Sequence, residues 1–174
     1  MGRAAVRQAV ATAVQNAAIP YVGTVYPARP TIIQEPDYIQ TLQGQAIQES
    51  VNGSACVIVV DIPSDHRQLR AFTGRIGVED TNIHAQVLEL FFASTGGDAM
   101  AAQQDYDTII DGLFALIRNN PTLSAPSTIW SAGEYREGVQ HAQSEPESSA
   151  DGLTILINGA VRFSAYEWVA GVGV

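Results

Sequence analysis

From Asp98 to Asn119 the side chains of Tyr106, Ile109, Ile110, Leu113, Phe114, Leu116 and Ile117 fall on one wide face at helical spacing, with Gln104, Asp107, Thr108, Asp111 and Arg118 opposite. This helix constrains the fold most, because so broad an apolar face has to be covered by another layer. Its ends are marked. Ser94-Thr95-Gly96-Gly97-Asp98 supplies a turn and an N-cap at Asp98, and Asn119-Asn120-Pro121 stops the helix.

The covering layer reads as strands. Ala55–Ile62 is a continuous, largely β-branched run, as in a strand buried on both faces, and Pro63-Ser64-Asp65 is expected to end it. Leu69–Val78 forms a second strand, Glu79-Asp80-Thr81-Asn82 a polar turn, and Ile83–Ala93 a third strand, close enough in sequence for an antiparallel meander. Ile129-Trp130 opens a further strand. Leu153, Ile155, Ile157, Gly159, Val161, Phe163 and Ala165 alternate with mostly polar residues in a long closing strand, Leu153–Trp168. At 174 residues this is one α+β domain, a mainly antiparallel sheet with two principal helices packed on it.

The second helix is Arg3–Ala18, where Val6, Val10, Val14 and Ala17 recur at helical spacing before Pro20. So narrow a stripe of small residues favours close packing against a neighbour over filling a deep core, which makes Val10 and Val14 candidate interface positions. Arg3 and Arg7 lie one turn apart near the positive end of the helix dipole, either as two solvated arginines or offset by an acidic partner surface. Pro20, Pro27, Pro30 and Pro36 make 20–38 an extended segment, with Pro30–Tyr38 an exposed connection, and residues 39–50 are ambiguous. The acidic, Ser-rich stretch Glu134–Gly152 has few large apolar residues and is expected to be a mobile loop. Tyr135, Arg136 and Val139 are the residues in it best able to contact a neighbour.

Little in the sequence suggests catalysis. Its formal charge is −9, and its nine basic residues are all arginine, which disfavours nucleic-acid binding; general solubility accounts for the charge, and a surface past which DNA slides without sticking is compatible with it. His66, His84 and His141 are far apart and sit in no metal-ligand spacing, and there is no G-x-S-x-G elbow, P-loop or lysine. Gly96-Gly97 serves to turn the chain, since Asp98 would repel a phosphate. Asp105, Asp107 and Asp111 read as a largely solvated helix face. The single Cys56 lies in an apolar run and has no disulfide partner. Neither a membrane span nor a signal peptide is expected. The expectation is a chain that is not an enzyme, with no cofactor and no metal.

In order, the helix Arg3–Ala18, the entry Gly23-Thr24-Val25-Tyr26-Pro27-Ala28-Arg29-Pro30, the strands of 55–93, the helix 98–119 and the closing strand Leu153–Trp168 resemble the tail terminators of long-tailed bacteriophages. The resemblance is one of layout, with no diagnostic motif. It implies a small α+β subunit that closes with copies of itself into a ring, commonly of six. That ring caps the head-proximal end of the tail tube, stops tube polymerisation and then meets the head–tail connector or neck protein. Its implied partners are therefore the chain itself, the tail tube protein and the connector, with DNA passing nearby unbound and no membrane. The location implied is the virion tail, after assembly in the host cytoplasm. Two other readings stay open. One is another virion joining protein, such as a neck or head-completion protein or a tube subunit. The other is a small α+β enzyme or ligand-binding module, for which a conserved, buried polar cluster around His66 or His84 would be the sign.

Overall fold

In the computed structural model the described residues are 2–31, 35–50, 53–71, 78–129, 131–133, 138–150 and 152–169, with side chains described except at 35–37, 66–71, 78–80 and 168–169. Two long strands, β2 (Ser54–Ala71) and β3 (Val78–Thr95), pair antiparallel from Ser54↔Ser94 to Ala71↔Val78. The expected three-strand meander is thus one pair. Pro63 does not end the first strand because the register shifts between Asp61 and Ser64, and such a bulge accommodates a residue that has no N–H to give to the ladder. Nor is Glu79–Asn82 a turn. It lies between β2 and the closing strand, and ladder bonds on both sides override the turn preference of its polar residues.

That closing strand, numbered β7 (Thr154–Val169) because three short strands precede it, pairs antiparallel with β3 from Thr95↔Thr154 to Asp80↔Val169. On the other side of β2 lies β1 (Val22–Tyr26), parallel to it from Val22↔Cys56 to Tyr26↔Val59. A parallel pair requires a crossover, and the ambiguous stretch supplies it as a helix, α2 (Glu35–Glu49). This corrects the exposed connection Pro30–Tyr38, whose last four residues are helical. Pro36 is tolerated because a first-turn residue has no helical use for its N–H.

Among the described residues there are therefore three helices, not the two principal ones expected, on a mixed but mostly antiparallel sheet. The first, α1 (Arg3–Asn16), and α3 (Ala99–Asn119) cover one face, where Val6, Val10, Tyr106, Ile109 and Leu113 meet Cys56, Ile58, Leu90, Phe92 and Ile157. On the opposite face α2 packs Tyr38, Leu42 and Ala46 onto Val57, Val59, Phe91 and Ala93. Both faces of Val57–Val60 are fully buried, as its unbroken apolar run implies. The Asp98 carboxylate caps α3, accepting from the N–H groups of Met100 (2.9 Å) and Ala101 (3.1 Å).

The expected mobile loop 134–152 is, in its described part, a folded segment. After β4 (Ser131–Ala132), strands β5 (Gln140–Gln143) and β6 (Glu147–Ser148) run antiparallel along the outer edge of β7. Polar residues suffice here because the backbone supplies the bonds that the edge needs. Polar side chains then hold β5 to α3. The Gln143 amide donates to Gln103 (3.0 Å), and the Tyr106 hydroxyl lies 3.1 Å from His141 Nε2. Tyr106 fits because position 159 is glycine, where an added Cβ would stand 1.9 Å from the phenol oxygen.

Candidate functional site

The residues singled out in the sequence do not converge. Arg3 donates to the carbonyl of Ile62 and lies 3.4 Å from Asp65, so its acidic partner belongs to its own chain. Arg7 is half-buried, and its Nε has no hydrogen-bond partner among the described residues. Val10 and Val14 are 0% and 2% exposed and are corrected from interface to core, since the stripe of α1 is covered by the sheet beneath it. Val139 also packs against that core. Tyr135 and Arg136 lie outside the described residues.

A polar pair unseen in the sequence lies inside the sheet. His84 on β3 and Glu167 on β7 approach to 2.8 Å (Nε2 to Oε2), with side chains only 2% and 1% exposed. The Asn82 amide reaches the same carboxylate oxygen at 3.3 Å. Two positions from His84, the buried Gln86 has no hydrogen-bond partner for either amide atom among the described residues, and neither has His84 Nδ1. The pairing follows from register: His84 faces Ala165 and Asn82 faces Glu167, so the histidine and the glutamate are diagonal neighbours on one face. An imidazole held by a carboxylate is half of a general-base arrangement, but this one is sealed from solvent and meets no described nucleophile. Among the described residues no three His, Cys, Asp or Glu side chains gather as metal ligands.

On the α2 face a second cluster is half exposed. Glu89 accepts from Arg29 (2.5 Å) and from the Tyr38 hydroxyl (2.7 Å), while the Arg29 guanidinium lies 5.2 Å from the centre of the Tyr38 ring and 3.9 Å from Asp61. Burial, then the bond to Glu89, pushes the Tyr38 phenol well above its ordinary range, while the Glu89 bond raises Arg29. Both effects favour protonated forms and lock the cluster together. It ties the entry segment and α2 to β3, and it is a structural clamp.

Among the described residues the surface carries a groove and several exposed apolar side chains, Tyr21, Ile39, Met100 and Leu153 among them. The groove, of about 490 Å3, runs between α1 and the chain that follows α3. Its floor includes Ala9, Ala13, Leu116 and Leu123, and no charged residue lines it. One wall is fixed by Asn120, which accepts from the Ser124 N–H (3.1 Å) and holds Leu123 and Ser124 at the left-handed φ values of 47° and 56°. At the other end of α3, Met100 is 74% exposed. Leu153, whose carbonyl accepts from Gly96 just ahead of that helix, is 66% exposed.

Sequence could point to the small residues of α1, but not to a groove whose second wall lies more than a hundred residues away. No protein-family model matches the chain, and comparison with curated proteins finds no match either.

Proposed function

We propose that the chain is a tail-terminator-like structural subunit that assembles into a ring at the head-proximal end of a phage tail tube, ends tube growth and offers a joining surface to the connector. One observation carries the assembly part of this reading. The sheet is unfinished along β2, which spans 18 residues while β1 accompanies it only along 56–59. Beyond the bulge at Asp61/Ser64 and the Ile62 carbonyl, which Arg3 occupies, the outer side of β2 has no strand partner from Ser64 to Ala71 among the described residues, and such an edge is a template for another chain. The layout of helices on a mainly antiparallel sheet is the one the resemblance implies, and the charge of −9 suits a wall that DNA passes without adhering.

The alternative of an enzyme has one observation on its side, the buried His84–Glu167 pair. Its burial favours a structural role for it in the sheet.

The free protein should weigh several times 18.5 kDa, or tails should carry several copies of it, with six the number the resemblance favours. Adding it to polymerising tube subunits should arrest elongation. A protein that is monomeric in both settings and leaves tube length unchanged is not a terminator.

A further inference from the structure

No tight turn joins β3 to β7, so their register is not set by the connection between them, which is the long stretch 96–153. The apolar pattern decides only half of the question. A slip of one residue would turn Asn158, Arg162 and Ser164 toward α1 and α3, and burial excludes it. A slip of two keeps every side chain on its own face and merely exchanges apolar residues among Ile155, Ile157, Val161, Phe163 and Ala165. We infer that two features of this face choose among the remaining registers, the notch at Gly159 beneath Tyr106 and the buried His84–Glu167 pair.

The two features act differently. Gly159 faces Leu90, and an added Cβ there would overlap the Tyr106 hydroxyl. A slip of two in one direction brings Val161 to that place and in the other Ile157, so the notch opposes both. The ion pair opposes one. Sliding β7 until Val161 faces Leu90 also sets Glu167 directly opposite His84, where carboxylate and imidazole still meet. Sliding it the other way sets Glu167 opposite Asp80 and parts it from His84, which leaves an imidazole inside the sheet without its carboxylate. Specifying a register is the best-attested use of a buried polar pair. The choice reaches well beyond β7, because β4, β5 and β6 all pair with that strand and take their positions from it. It holds whatever the chain assembles with.

Moving the notch tests this in the full chain. Gly159→Val combined with Val161→Gly keeps the composition of β7 and places the gap two residues later, so the strand should slip until position 161 faces Leu90. Cysteine pairs read the register, because residues directly opposite can be bridged whereas diagonal ones stand about 7–8 Å apart, beyond ordinary disulfide reach. With Val87→Cys as the fixed partner, Arg162→Cys reports the observed register, Ser164→Cys the slip that the moved notch demands, and Ala160→Cys the opposite slip. None of these four positions is buried, whereas the native Cys56 is. Cross-linking should transfer from 162 to 164 when the notch is moved, and cross-linking that stays at 162 overturns the inference. If the moved-notch chain does not unfold cooperatively, Tyr106→Leu replaces it, since it removes the ring that needs the gap. Cross-linking should then appear at 164 but not at 160, and adding Glu167→Leu should admit 160 as well. A Tyr106→Leu chain that links only at 162, one that reaches 160 with the pair intact, or a double variant that never reaches 160 each overturns the inference.

Discussion

Position 159 is a tightly packed single site. Gly159→Ala would place a methyl 1.9 Å from the Tyr106 hydroxyl, in a core too dense to yield freely, and should cost about 1–3 kcal/mol in urea unfolding. Part of that cost should disappear when the same change is made in a Tyr106→Phe chain, which lacks the clashing oxygen, while the ring carbon Cζ and the Ala142 carbonyl, each 3.1 Å from the added methyl, keep the rest. Equal costs in both backgrounds would mean that the notch is not what Gly159 provides. His84→Ala poses a different problem, because it leaves the Glu167 carboxylate inside the sheet without its imidazole. A buried pair broken in this way costs about 3–5 kcal/mol, which the urea midpoint would register. The sequence marks His84 as a place for a buried polar cluster but shows neither its partner nor the notch at 159. His84 and Glu167 are separated by 83 positions and meet only through the β3–β7 register, and Gly159 reads as a lapse in an alternating strand until Tyr106 arrives from another element.

Elements whose periodicity reports their own burial are the ones read correctly. The wide apolar face of α3 and the alternation of β7 each describe a side chain's surroundings, and the structure places both within two residues of expectation. In contrast α2 has few apolar positions and carries Pro36 in its first turn, so its helical state depends on the crossover that β1 and β2 need. The stretch containing β5 and β6 was misread because composition counts side chains, whereas the edge of β7 recruits backbone. Hydrogen exchange should therefore show protected amides within 140–144, and exchange as fast as in an unfolded chain would restore the mobile loop. The lock between α3 and β5 should also respond to acid. Burial holds the His141 imidazole below its ordinary value of 6.5. The unfolded chain then binds the proton more tightly, so this contribution to stability is intact above pH 6.5 and is lost as pH falls below it. Between about pH 8 and about pH 5 the urea midpoint should fall less in His141→Gln than in the wild type.

On the scale of the whole molecule, a net charge of −9 would oppose the proposed assembly. The Arg3 guanidinium already meets Asp65 and the Ile62 carbonyl of its own chain. Repulsion between copies of charge −9 then dominates the salt response. Ring formation should strengthen as ionic strength rises from about 0.01 M to about 0.15 M, where the screening length shrinks from about 30 Å to about 8 Å. Sedimentation at the two salt levels would show it, and weaker assembly at the higher level would return the leading role to paired charges. The order of strands has a further consequence in time. On the ribosome β2 and β3 emerge together, but β3 receives its second partner only when residues 154–169 appear. At roughly 5–20 residues per second the intervening chain takes several seconds to make, and throughout them the flank of β3 beside Phe91 and Phe92 stays bare in the nascent polypeptide. The interval before β7 arrives is when a chaperone has most to protect and when a stalled chain is most prone to aggregate.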